Sequence, residues 1–440
     1  MGETPSRGPQ ARVANRRIPS TTRSTTGSST RSPGADNGDG FGIDVTAERE
    51  RTAGCRTGHH LNAAGAALPP REVVDTVVDH LRREELEGGY EAAAAERDRL
   101  ETVYERAATL VGAAPDEIAL LDSASTGLRV IVDALRLGPD DTVVMSRSAY
   151  VSHALHLMAI ARERGVRLEV IDSTPTGEID LDMLDEVLGR VPGPVVCPAH
   201  VPTSSGLVEP VADIGKLAAA HGARYVLDAT QSVGQLPVDV DEIGCDALVT
   251  TGRKFLRGPR GTAFLYVRRR LFEALEPTAP DVRGSTWTGE RSWSVADSAR
   301  RFEVWESFVA GRLGLGVAID QAIARGIDAS AGYIIWLAAR LRDGLAGVDG
   351  VMVVDPPAAR SGIVTFVVDG FEPRVVVDEL AARQVRVVSV PASHAHWDLG
   401  ARGHDAVVRA SVHVYNDVAD IEALIGAAAE LTAWRAAAEP

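Results

Sequence analysis

Apolar residues recur every three to four positions in "REVVDTVVDHLRREELEGG" (71–89) and "AERDRLETVYERAATLVGA" (95–113), the spacing of two amphipathic helices, the second closed by Gly112. Short β-branched runs then take over: "DTVVMS", "RLEVIDS", "GPVVCPAH", "RYVLDAT", "DALVTTG" and "GTAFLYV". Helical stretches such as "YVSHALHLMAIARERG" and "VADIGKLAAAHG" separate several of them. Strands alternating with helices predict parallel crossovers and a sheet buried on both faces. After about Arg301 the helical stretch "ESFVAGRLGLGVAIDQAIARG" leads to a second set: "GIVTFVVDG", "PRVVVDELAARQ", "VRVVSV", "VVRASVHVY" and a last helix from Val418. The pattern therefore predicts a large α/β domain over 58–310 and a smaller C-terminal α+β domain over 311–440, with the first ordered residues free to pack on the small domain.

Residues 1–57 read differently. "RRIPSTTRSTTGSSTRSPGADNGDG" is rich in Ser, Thr, Arg, Gly and Pro and nearly empty of large apolar residues. Such a segment buries too little surface to fold, so a disordered low-complexity extension is expected. It lacks the apolar stretch of a secretory signal.

Charge and cysteine usage narrow the partners. The 61 acidic and 46 basic residues leave a formal charge of −15, which argues against a nucleic-acid binder. No apolar run approaches the roughly 18–20 residues of a membrane span. Cys55, Cys197 and Cys245 share no metal-ligand spacing, and their odd number suits a reducing, cytoplasmic setting. No metal site is expected.

In open parallel sheets, ligands bind beyond the carboxyl ends of the strands. "RYVLDATQ" ends in Asp228 and Gln231, and "DALVTTGRK" ends in Lys254, so a carboxylate and an amine can reach one ligand. "GPRG" after Lys254 turns the chain back into the next strand and leaves the lysine partly buried, which lowers its pKa toward amine reactivity.

Asp-x-x-Gln at one strand end, followed by "TTGRKFLRGPRG" at the next, resembles the class V aminotransferase group of pyridoxal phosphate (PLP) enzymes, which share fold type I. The resemblance runs from about His59 to about Leu431. It implies that Lys254 forms an imine with the cofactor aldehyde and, once displaced, serves as general base and acid. Asp228 would keep the pyridine nitrogen protonated, and Gln231 would hydrogen-bond the ring hydroxyl. Ser125 and Thr126, ahead of a helix in "LLDSASTGLRVIVDAL", would receive the cofactor phosphate with Thr251 and Arg253. Tyr150 matches the position of the ring that stacks on the cofactor. Thr203 stands in for an asparagine near the ring hydroxyl, because Pro202 occupies that position in "AHVPTSSG". In "RASVHVYN", Arg409 would grip the substrate carboxylate. Ser285 and Thr286 would reach a partner subunit's phosphate across a homodimer interface, and Asn62 and Ala64 would line the substrate entrance.

The same resemblance implies a Cα carbanion on an amino-acid substrate and leaves its fate open. A β-eliminating C–S lyase or an aminotransferase is expected, with an epimerase or racemase as the alternative; "LEGGYEAAAAE" and "RASVHVY" are nearest to isopenicillin N epimerase-like members and C–S lyases. Cysteine desulfurases of the group use a small-domain cysteine as sulfur acceptor, and this chain has none after Cys245, so persulfide-forming desulfuration on the protein is disfavoured. A PLP-binding sensor without turnover would need a winged-helix DNA-binding domain, which the short N-terminal segment does not provide. The histidines of "PASHAHWDLGARGHD" (His394, His396, His404) read as solvated loop residues.

Overall fold

The computed structural model describes residues 39–438. Seven strands build the main sheet: β1 (Ile118–Leu121), β2 (Thr142–Ser146), β3 (Arg167–Ile171), β4 (Pro194–Val196), β5 (Arg224–Asp228), β6 (Ala247–Thr251) and β7 (Ala263–Val267). They lie in the order β1-β7-β6-β5-β4-β2-β3. Only β7 runs antiparallel to its neighbours. The reason is local: a helix-free turn joins β6 to β7, whereas helices Val151–Arg164 and Val211–Ala220 carry the chain across the sheet to start β3 and β5. Every residue of β2, β6 and β7 is buried.

Alternation along the strands divides the core into two layers. Val144, Leu227, Leu248 and Phe264 face one layer, filled by Tyr104, Leu184, Ile214 and Leu315. Val143, Val226, Val249 and Leu265 face the other, filled by Leu128, Ile131, Leu157 and Ile160. Each such side chain contributes about 1.5–3 kcal/mol when fully buried.

The second sheet holds β8 (Val351–Val353), β9 (Ile363–Val368), β10 (Val388–Pro391) and β11 (Ala406–Ser411), antiparallel in the order β8-β9-β11-β10. Helices Ile327–Ala346, Pro373–Ala382 and Val418–Ala438 contribute to its core.

Helix Val309–Arg325 buries Leu315, Ile319 and Ala322 in the core layer of the large sheet. The extension expected over 1–57 ends earlier, because Val45–Glu50 form a helix capped by Asp44 and Val45, Glu48 and Thr52 are buried. Its low-complexity neighbourhood hid one short element that is held by side-chain contacts far along the chain. Ile43, Val45 and Leu61 join the core that the second sheet builds. The rest of that extension, residues 1–38, lies outside the described residues. Among the described residues, no helix is long and apolar enough to cross a membrane, and no cluster of side chains suits a metal ion.

Candidate active site

Lys254 leaves β6 in a turn built by backbone hydrogen bonds. Gly252 N donates to Thr262 O at 2.8 Å, Arg257 N to Lys254 O at 2.9 Å and Gly258 N to Gly252 O at 2.7 Å. A side chain at Gly252 would place its Cβ 2.2 Å from Thr262 Oγ1, so the turn admits only glycine there. Arg257 sits at φ 61°, an uncommon conformation for a residue with a side chain. Its buried guanidinium offsets that cost by bonding Glu48, Thr52 and Leu68 O, with Tyr415's ring 5.0 Å away. On the same turn, Phe255 O accepts from His413 Nε2 at 3.0 Å, and the two rings stack. The N-terminal segment and the small domain thus grip the lysine turn from two sides.

The side chain of Lys254 is 7% exposed. Burial, with Arg253 and Arg409 nearby, brings its pKa down to about 7, against the opposing pull of Asp228. Asp228 ends β5, also 7% exposed. Its Oδ2 lies 2.9 Å from His153 Nδ1, and its Oδ1 accepts from Thr230 N at 2.9 Å. Burial pushes this carboxyl up, but His153 and Thr230 outweigh burial and hold it at about 2.

One hydrogen-bonded network joins five more of the expected residues. Gln231 Nε2 donates to Ala64 O at 3.2 Å and reaches Thr203 Oγ1 at 3.5 Å. Arg409, on β11, donates to Thr203 Oγ1 and Thr203 O, and its Nη2 reaches Asn62 Oδ1 at 3.4 Å. Burial and the nearby Arg253 lower the Arg409 pKa to about 10. Among the described residues, Gln231 Oε1 and Arg409 Nε are buried with no partner. Arg253 donates to Gly65 O, which ties the lysine turn to the segment carrying Asn62 and Ala64.

Helix Ala124–Ala134 is capped by Ser123, whose Oγ accepts from Thr126 N at 3.1 Å and lies 3.0 Å from Thr126 Oγ1. Ser125 therefore sits inside the first turn. The helix comes close to the strand that leads to Lys254, since a Cβ at Gly127 would meet Val249 Cγ1 at 3.0 Å. Thr251 Oγ1 donates to Thr262 O. The Tyr150 ring centre is 5.8 Å from Lys254 Nζ.

Ser285 and Thr286 stand apart, on a hairpin of Ser285–Gly289 with Ser292–Val295 whose residues are mostly exposed. No hydrogen bond joins either to the Lys254 group. Two contributors escaped the sequence reading: His153 and Arg257. For His153 a signal existed, because three residues after Tyr150 on a helix is the same face. Arg257 gave none, since its partners lie far away in sequence.

The Aminotransferase class-V family profile matches residues 59–424. The chain belongs to the class-V aminotransferase family. Members of this family are PLP-dependent enzymes, so the fold-type-I expectation and the family resemblance hold. A probable cysteine desulfurase of Methanothermobacter thermautotrophicus is 28% identical over 371 residues, covering 83% of this chain and 92% of the relative. Probable cysteine desulfurase 2 of Mycobacterium leprae is 30% identical over 342 residues, covering 73% and 79%. Among solved structures, the apo cysteine desulfurase of Thermococcus onnurineus NA1 superposes with TM-score 0.83 at 24% identity, covering 89% of this chain and 98% of that one. The cystine C–S lyase C-DES, solved with its product cysteine persulfide, gives TM-score 0.78 at 21% identity, with 86% and 99% covered. At those identities the two structures speak for the class-V fold. The names bear on C–S bond cleavage and do not reach the epimerase-like branch.

Proposed function

We propose that this chain is a PLP-dependent C–S lyase that cleaves a sulfur-bearing amino acid by β-elimination and releases the sulfur fragment to solution. The observation that carries this reading is the pairing of a buried amine near neutrality, Lys254, with a buried carboxylate held ionised, Asp228. PLP, when bound, supplies an electrophilic carbon and an electron-accepting ring. The residues fit it: Gln231 Oε1 and Arg409 Nε are buried and still lack partners, and the donor set of Ser125, Thr126, Thr251 and Arg253 suits a phosphate.

With its pKa at about 7, Lys254 is neutral in a large fraction of molecules at physiological pH and can take the substrate Cα proton. Asp228 provides fixed negative charge opposite a ring nitrogen, and Tyr150 offers a flat face beside the amine. Arg409 forks onto the substrate carboxylate, its guanidinium oriented by Thr203 and Asn62. In the elimination, the Cα–H bond breaks with its proton passing to Lys254 Nζ. The Cβ–S bond breaks with its electron pair leaving on sulfur, and a Cα=Cβ bond forms. Hydrolysis of that product gives an oxo acid and ammonia.

The cysteines support release over capture. Burial pushes the Cys55 thiol up to about 11, and Cys197 and Cys245 up to about 12. None supplies a thiolate near pH 7 to accept sulfur. A homodimer is part of the proposal. Tyr90, Trp305 and Phe308 line a cavity of about 1210 Å³ that also reaches Thr126, and a second copy would cover it. From that copy, Ser285 and Thr286 would complete the phosphate site.

The test is an absorption spectrum of PLP-loaded protein followed by a panel of cysteine, cystine, cysteine S-conjugates and their sulfoxides. The expected result is a visible band, pyruvate and ammonia from at least one sulfur compound, and a loss of about a thousandfold or more in turnover for Lys254→Ala. Transfer of the amino group to the cofactor without pyruvate would replace elimination by transamination. No visible band would overturn the reading.

A further inference from the structure

His153 lies outside every motif that carries the family resemblance, yet it makes the closest side-chain contact to Asp228. Its Nδ1 is 2.9 Å from Asp228 Oδ2, while the amide of Thr230 holds Oδ1. Both carboxylate oxygens are therefore anchored from inside the protein. The imidazole is itself oriented. It is 4% exposed, sits one turn into helix Val151–Arg164, and meets the ring of Tyr150 edge-on at 5.5 Å and 86°.

The other ring nitrogen leaves the contact one-sided. Among the described residues His153 Nε2 is buried without a partner, so Nδ1 makes the ring's one hydrogen bond. A proton on Nδ1 satisfies the carboxylate of Asp228.

We propose that His153 is a positioning residue: an Nδ1–H donor that fixes the orientation of the Asp228 carboxylate and, through its contact with Tyr150, sets that ring and the carboxylate in one rigid unit. The proposal rests on the reading of Asp228 as the partner of a cofactor ring nitrogen. His153 touches neither substrate nor cofactor in this account and acts through Asp228.

The test compares wild type, His153→Ala and His153→Asn, because an asparagine amide nitrogen can stand where Nδ1 stands and donates without carrying charge. In the apo protein, histidine-selective ¹⁵N NMR should assign to His153 a ring protonated at Nδ1, by loss of that signal in His153→Asn. In PLP-loaded protein, His153→Ala should lower turnover about ten- to a hundredfold, the worth of one hydrogen bond to a charged group. It should also move the pH titration of the visible cofactor band. His153→Asn should restore both to within about threefold. Thermal melts of both variants separate this effect from a loss of fold.

Equal turnover and an unmoved titration in a folded His153→Ala would overturn the proposal. So would an Asn variant as impaired as Ala, since donation would then not account for the effect, and so would an Nδ1 that carries no proton in the apo spectrum. If wild type binds no PLP, the proposed function fails on its own terms, and the apo spectrum still decides whether His153 donates to Asp228.

Discussion

Two of the buried carboxylates of the large domain, Asp228 and Glu209, meet opposite fates. Asp228, at the tip of β5, is held at about 2, whereas Glu209, just ahead of helix Val211–Ala220, is pushed up to about 7. Burial raises both. Asp228 is paired with His153 and the Thr230 amide, and these outweigh the loss of water. Glu209, 2% exposed, has the Ser148 hydroxyl at 2.7 Å and the Ile179 amide at 2.8 Å, and faces further negative charge from Glu178 and Asp398. Depth in the protein does not decide charge; the partners do. In the proposed function the first carboxylate serves the chemistry, while Glu209 is a hydrogen-bonding strut beneath Ser148, in the loop that leads to Tyr150.

The comparison breaks most visibly through catalysis. Asp228→Asn should lower the elimination rate by about a thousandfold, because a neutral amide cannot keep a ring nitrogen protonated. Glu209→Gln should leave turnover near the wild-type value; steady-state kinetics on the same substrate measure both. A Glu209→Gln variant as slow as Asp228→Asn would show that the two groups are not divided in this way.

Stability against pH gives the next effect, with opposite signs. The folded pKa of Glu209 is raised, so its contribution is full below the unfolded value near 4.5 and is lost as pH rises through 7. That loss amounts to about 3 kcal/mol, and Glu209→Gln should abolish it, so that the variant gains in denaturant midpoint over wild type at pH 8. The folded pKa of Asp228 is depressed, so its contribution is present above 3.8 and is lost as pH falls toward 2. The smallest effect comes from the partner. Ser148→Ala removes a hydroxyl donor to Glu209 and should cost about 1–2 kcal/mol at pH 8, read from urea unfolding.

The same contrast explains what the sequence discloses. Asp228 and Lys254 were legible because strand ends in a parallel sheet point at one place, and the hydrophobic runs before them mark those ends. Gln231, Thr203, Arg409, Asn62 and Ala64 were legible through the family resemblance, and the structure joins them in one network. Glu209 was not, because its charge depends on Ser148 and Ile179, which only the fold brings to it. Arg257 lies in the turn after Lys254 and is buried against Glu48, which comes from a segment expected to be disordered. The low complexity upstream masked the six-residue helix that carries Glu48. Helix Val309–Arg325 was legible as a helix but not in its allegiance, since an apolar face does not say which sheet it covers.

The most direct test of the account follows the sulfur. A single turnover of PLP-loaded protein with ³⁵S-labelled cystine or cysteine, followed by rapid filtration, separates protein-bound from free label. The account predicts that the label passes the filter together with stoichiometric pyruvate, because Lys254 drives elimination and no thiol of the chain is poised to capture the fragment. Label retained on the protein and released by a reducing agent would contradict it, and would make a sulfur acceptor of the half-buried Cys55 or of the buried Cys197 or Cys245.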